Sequence, residues 1–143
     1  MAPAVVLDDR LLIEELLVGL PGRRVDLYTT TYWYYRACRA AVLGAGGHLS
    51  GPFERVDVEQ QEAAIVSLLE LRDDISLPDA RSTVPAMARL AMRHPRLNLM
   101  NLEVAAFGQL LGATVWLSQE TGEGMLPGVL DQEHVRWRTV VLA

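Results

Sequence analysis

Short β-branched runs alternate along this chain with longer stretches of helical period, and that alternation confines it to a narrow set of folds. Ala4-Val5-Val6-Leu7 is apolar and stops at Asp8-Asp9, after which Leu11, Leu12, Leu16 and Leu17 recur at helical spacing. Gly19 and Pro21-Gly22 close that helix, and Val25 to Tyr28 reads as a second strand. Thr29-Thr30-Thr31 supplies an N-cap for a helix through Val42, and Gly44, Gly46 and Gly47 end it. The stretch from Gly44 to Pro52 reads as a loop. Asp57, with Gln60 three residues on, caps a helix to Leu71, and Ile75-Ser76-Leu77-Pro78 is a short extended piece. A helix from about Ser82 to Met92 is stopped at His94-Pro95, because a residue before proline is pushed out of the helical region. Asn98 caps an almost wholly apolar helix from Leu99 to Leu111, with Gly108 inside and Gly112 as its C-terminal cap. Thr114 to Ser118 is a compact strand, Gly122 and Gly124 mark a loop, and Val135 to Leu142 alternates as an edge strand would. Strands alternating with helices imply an α/β domain whose central sheet is mostly parallel and flanked by helices.

The 143 residues suit one domain, and half of them are apolar, so a single core is expected without a metal or disulfide staple. Cys38 is the only cysteine, which excludes an internal disulfide and fits a reducing, cytoplasmic setting. The opening residues lack a basic flank and reach two acids at once, unlike a signal peptide, and no apolar run approaches a membrane span. All 13 basic residues are arginine. The absence of lysine rules out a phosphate loop ending in Gly-Lys, a Schiff base and a lysine general base. The net charge of −5 weighs against sequence-independent nucleic-acid binding, which rests on a basic face.

The order of these local words resembles a PIN domain, the small α/β nuclease fold found as the toxin half of many bacterial toxin–antitoxin pairs. The likeness spans nearly the whole of residues 1–143 as one domain. It rests on Val5-Val6-Leu7-Asp8, on Asn98-Leu99-Met100-Asn101, on Leu111-Gly112-Ala113, and on Thr114-Val115-Trp116-Leu117-Ser118-Gln119. The resemblance implies a three-layer sandwich with acids at the carboxyl ends of parallel strands, holding magnesium or manganese for phosphodiester cleavage. Such crowded carboxylates are tolerable because a hard cation neutralises them.

The chain departs from that pattern where the chemistry would sit. Asp8 matches the first acid, but no Asp or Glu occurs between Asp26 and Glu54, and Arg36 stands at the second position. Asn101 and Gln119 stand at the third and fourth. Over Asp8, Arg36, Asn101 and Gln119 the formal charge is zero. Substitutes must come from Asp9, Glu103 or Glu120. Glu103, two residues beyond Asn101 on a helix, points to roughly the opposite side, and Glu120 needs an irregular strand end to reach the site. Arg36 is expected to fill the vacated space and pair with Asp8.

All four tyrosines, Tyr28, Tyr32, Tyr34 and Tyr35, lie with Trp33 in eight residues. Four consecutive aromatics on a helix point around most of its circumference, so some meet solvent or a partner. Tyr32, Trp33 and Tyr35, with Arg36 and Arg39 alongside, form a candidate interface for a homodimer or a protein partner such as an antitoxin. A base-stacking surface for RNA is the weaker alternative. His48, His94 and His134 share no ligand spacing and read as surface residues, Cys38 as a small buried hydrophobe, and Glu14-Glu15 and Asp73-Asp74 as solvated faces. The sequence therefore describes a PIN-like domain with a degraded nuclease site, needing no cofactor and acting by binding. Its competitor is an active ribonuclease that keeps magnesium or manganese on remodelled ligands.

Overall fold

The structure, a computed structural model, describes residues 2–21, 24–43 and 47–142. Gly22, the Gly44–Gly46 part of the expected loop and the side chain of His48 lie outside the described residues. The strands are β1 (Ala4–Leu7), β2 (Asp26–Thr29), β3 (Ile75–Ser76), β4 (Thr114–Leu117) and β5 (Trp137–Thr139). The helices are α1 (Asp9–Leu17), α2 (Thr31–Leu43), α3 (Gly47–Glu54), α4 (Val58–Leu69), α5 (Ala80–Arg93), α6 (Leu99–Leu111), α7 (Gln119–Gly122) and α8 (Leu126–Gln132). The strands form one sheet in the order β3-β2-β1-β4-β5, and every pairing is parallel. β5 is an edge strand as expected, though only Trp137 to Thr139 of the alternating stretch joins the sheet.

Parallel strands are buried on both faces, and the side-chain alternation divides the core accordingly. Val6, Val115 and Leu117 pack with Val104, Ala105 and Phe107 of α6 on one face. Val5, Leu7 and Trp116 pack on the other with Leu11 of α1 and with Val140 and Leu142 after β5. Beyond α1, Leu12, Ile13 and Leu17 meet Ala37 and Ala40 of α2, Phe53 of α3, and Ala64 and Leu68 of α4. Residues Leu102 to Gly108 of α6 are buried without a break, which explains why its composition is apolar all round. Gly112 closes that helix at φ +60°, a left-handed conformation that favours glycine.

Three parts of the sequence reading need correction. Residues Gly47 to Glu54 are helical rather than loop, with Pro52 inside. Proline at the sixth position removes a single backbone bond, while Ser50 and Phe53 are buried and the Gln61 side chain donates to the Phe53 carbonyl. Tertiary packing outweighs the local glycine and proline signals. The loop expected around Gly122 and Gly124 holds the short helix α7, and α8 follows it, with Pro127 near its start and Leu126 and Leu130 buried one turn apart. Trp33 is not at a surface: it is 1% exposed, on the helix face it shares with Ala37 and Ala40. Tyr32 and Tyr35 are exposed, and Tyr34 donates its hydroxyl to the Leu68 carbonyl at 2.6 Å.

Polar joints hold the helical layers in place. Glu133, at the end of α8, accepts from Arg93 at 2.8 and 3.2 Å and from the Gln109 amide at 3.2 Å, and lies 2.7 Å from His94 Nε2. His94 is thus largely covered rather than a free surface residue. Glu15 likewise accepts from Leu20 N and from Arg72, whereas Asp73 and Asp74 are exposed as expected.

Two consequences for stability are testable. A methyl group at Gly108 would stand 2.8 Å from Val135 Cγ1, the stiff branch of a buried side chain. Alanine normally favours a helix over glycine by about 1 kcal/mol, but here overpacking should dominate. Gly108→Ala is expected to lower stability by about 1–3 kcal/mol in urea denaturation. The Arg93 guanidinium, despite the cost of covering the carboxylate, draws the Glu133 carboxyl down from 4.5 to about 2. A carboxyl depressed by folding contributes stability above its unfolded value and loses it as the pH falls through its folded one. Thermal melts should therefore show a loss between about pH 4.5 and about pH 2 that Glu133→Gln flattens.

Candidate functional site

Parallel strands end together, and the order reverses direction on either side of β1, so the crevice of such a sheet opens where β1, β2 and β4 terminate. Asp8 lies at that point as the N-cap of α1. Its Oδ1 accepts from Leu11 N at 2.8 Å, and its Oδ2 accepts from Ser118 N at 2.7 Å and Ser118 Oγ at 2.6 Å. Both oxygens are committed, and the residue is fully buried. Burial pushes the Asp8 carboxyl up and the neighbouring Asp9 charge adds to it, against the lowering effect of the Ser118 and Leu11 donors.

Arg36 does not pair with Asp8. Its Nε donates to Asp9 Oδ2 at 2.7 Å, while Asp9 Oδ1 accepts from Arg10 N at 2.8 Å. The reason lies in the cap. An N-cap side chain turns back over the first turn, which aims Asp8 inward, and the next residue, Asp9, faces α2. Asp9 is almost completely covered, while the Arg36 side chain is 43% exposed.

The pair forms one wall of an open cleft of about 250 Å³. Asn101 and Glu120 also line it, so four of the seven site candidates meet there: Asp9, Arg36, Asn101 and Glu120. Asp8, Gln119 and Glu103 do not line it. β4 ends at Leu117 and a helix begins at Gln119, so strand alternation does not govern this turn. Gln119 is exposed outside the cleft, and Glu120 faces into it. Glu103 is buried on the side of α6 away from Asn101 and accepts from Thr31 N at 3.2 Å and Tyr32 N at 3.0 Å, at the start of α2.

The sequence reading missed Ser118, which anchors Asp8, and Thr121, whose hydroxyl lies 3.3 Å from Ser118 Oγ and lines the cleft. Ser-x-x-Thr directly after a strand was their signal. It also missed the apolar floor, made by Trp33 of α2, Met100 of α6, and Met125 and Leu126 at the start of α8, the helix the sequence hid. Among the described residues no three metal-binding side chains converge.

Asp8 thus serves the fold at the edge of the cleft. Asp8→Ala would leave the Leu11 and Ser118 N–H groups buried without acceptors, at about 1–3 kcal/mol for each such group. We expect a loss of at least about 2 kcal/mol in chemical denaturation, and Asp8→Asn, whose amide places a donor against a donor, should recover only part of it.

No family model and no curated protein match this chain. Among solved structures it is similar to VapBC-1 from nontypeable Haemophilus influenzae, with a TM-score of 0.54 and 15% identity over 95% of this chain and 97% of that one. The likeness is one of fold: an α/β domain of PIN-like architecture with an all-parallel five-stranded sheet.

Proposed function

We propose that this chain is a PIN-like domain that acts by binding a partner rather than by metal-dependent cleavage of RNA. The observation that carries this reading is the ion pair between Arg36 and Asp9. A hard divalent cation wants several free oxygen ligands, and magnesium gives up its water reluctantly. Here Asp8 spends both oxygens on backbone and serine donors, and Asp9 spends its own on Arg36 and Arg10 N. Asp9 and Glu120 against Arg36 leave the cleft one net negative charge, with a guanidinium where a cation would need to approach. These groups do not fit a magnesium or manganese site.

The fold likeness to VapBC-1 and the resemblance to toxin halves of toxin–antitoxin pairs support a protein partner of antitoxin type. RNA is the weaker candidate for a chain of net charge −5. One observation favours the competing reading, an active nuclease on remodelled acids: Asp9 and Glu120 share the cleft with Asn101.

Incubation of single-stranded RNA with the protein in manganese or magnesium separates the two. Cleavage no greater than in a chelator control is expected. Manganese-dependent cleavage that disappears in Asp9→Asn or Glu120→Gln would overturn the proposal. In calorimetry, replacing the guanidinium with a carboxylate and restoring a second acid, Arg36→Glu with Asn101→Asp, should tighten manganese binding at least about tenfold, roughly 1.4 kcal/mol. Wild-type protein that binds manganese as tightly as the double variant contradicts it.

A further inference from the structure

Helix α5 has two unlike faces. Ala86, Met87, Leu90 and Ala91 pack on the core shared with α6, whereas Arg81, Pro85, Ala88, Arg89 and Met92 recur at helical spacing and face solvent, Met92 at 84% exposure. That outer face is basic. Four arginines and no Asp or Glu occur from residue 80 to residue 102, and the other nine arginines share the rest of the chain with all 18 acids. The acids that touch α5 are engaged: Asp79 accepts from Arg81 N as its cap, and Glu133 is held by Arg93. Among the described residues Arg81, Arg89 and Arg96 have no ion-pair partner, and Arg96 stands exposed in the turn after the helix.

A groove of about 230 Å³ lies beside this face, lined by Ala86, Arg89, Leu90 and Arg93 of α5 and by Gln109 and Leu110 of α6. It shares no residue with the cleft. Its volume falls below the roughly 300 Å³ at which small-molecule pockets begin, so it suits one side chain of a larger partner. Arg89 and Leu110, half exposed, set a cation beside an apolar surface.

The chemistry of the face selects among anionic partners. Single-stranded nucleic acid is bound by cations together with aromatic rings for its bases, and no aromatic residue occurs from residue 54 to residue 106. A duplex would meet a chain of net charge −5. An anionic membrane takes up the apolar face of a basic helix, and here that face is buried against α6. A peptide meets none of these obstacles. Its carboxylates match the planar guanidinium forks, and an aliphatic neighbour can enter the groove.

We infer that the outer face of α5 and the groove beside it dock an acidic peptide segment of another protein, its carboxylates on Arg89 and on Arg81 or Arg96 and an aliphatic side chain against Leu90 and Leu110. The inference is independent of whether the cleft cleaves RNA.

Fluorescence anisotropy with a labelled helical peptide of glutamate and leucine, as long as α5, tests it. Saturable binding in the micromolar range that weakens with added salt is expected. Arg89→Glu should weaken it at least about tenfold, because a like charge then meets the carboxylates. Leu110→Gln, which keeps the charge, should weaken it as well. Arg55→Glu changes the net charge as Arg89→Glu does but lies after α3, and should leave binding unchanged. All three positions are exposed, and circular dichroism checks that each variant is folded. No saturable binding to the wild type would overturn the inference. So would a lysine-for-glutamate peptide, oligouridylate or anionic phosphatidylserine vesicles bound as tightly as the acidic peptide, or Arg55→Glu weakening binding as much as Arg89→Glu.

Discussion

One buried carboxylate ties together the parts of the chain on which the cleft is built. Asp8 ends β1 and caps α1 through Leu11 N, and reaches across to the end of β4 through Ser118 N and Oγ. Burying a charge is costly unless its lone pairs are filled, and three donors at 2.6 to 2.8 Å fill these. The burial cost still exceeds what the donors return, which is why the carboxyl is raised rather than lowered. The folded state therefore holds this proton more tightly than the unfolded chain does, and the contribution of Asp8 to stability grows as the pH falls, opposite in sign to that of Glu133.

Adjacent carboxylates just past the end of the central strand raise a second difficulty, because like charges a residue apart repel. Arg36 meets it from within the chain, setting a positive charge against Asp9 at 2.7 Å. Half of the arginine side chain is wet, so screening keeps the pair modest as a stabilising contact. Its larger consequence is electrostatic: Asp9, one of the two acids that line the cleft, is neutralised by a group that any incoming cation would have to displace.

β1 and β4 were legible because a short continuous apolar run ending at a charged or polar turn suits a parallel strand buried on both faces, and α6 because its caps Asn98 and Gly112 and its apolar run agree. α3 and α8 were not, since Gly47, Pro52 and Gly128 signal irregular chain locally while Phe53, Leu126 and Leu130 find partners distant in sequence. Of the cleft, the residue types were readable but their assignment was not. Asp8 and Asp9 are equivalent in a sequence, and only the cap geometry decides that the first turns inward and the second faces Arg36. Trp33 was misplaced for a related reason: consecutive aromatics show that a helix has several occupied faces, not which face meets the core.

α2 resolves that ambiguity by giving each face a different task. Trp33, Ala37 and Ala40 enter the core, Tyr34 and Cys38 lie against Leu68 of α4, Arg36 turns to Asp9, and Tyr35 and Arg39 face water. Steps of about 100° per residue make this partition unavoidable once one face is fixed. The start of the helix is held in place as well: Thr30 Oγ1 accepts from Trp33 N and buried Glu103 accepts from Thr31 N and Tyr32 N. A carboxylate there satisfies two orphan donors and sits at the positive end of the helix dipole, which offsets its own burial. Glu103, an acid that looked like a spare ligand for a cation, thereby anchors the start of α2, the helix whose buried face of Trp33, Ala37 and Ala40 leaves Arg36 turned toward the cleft.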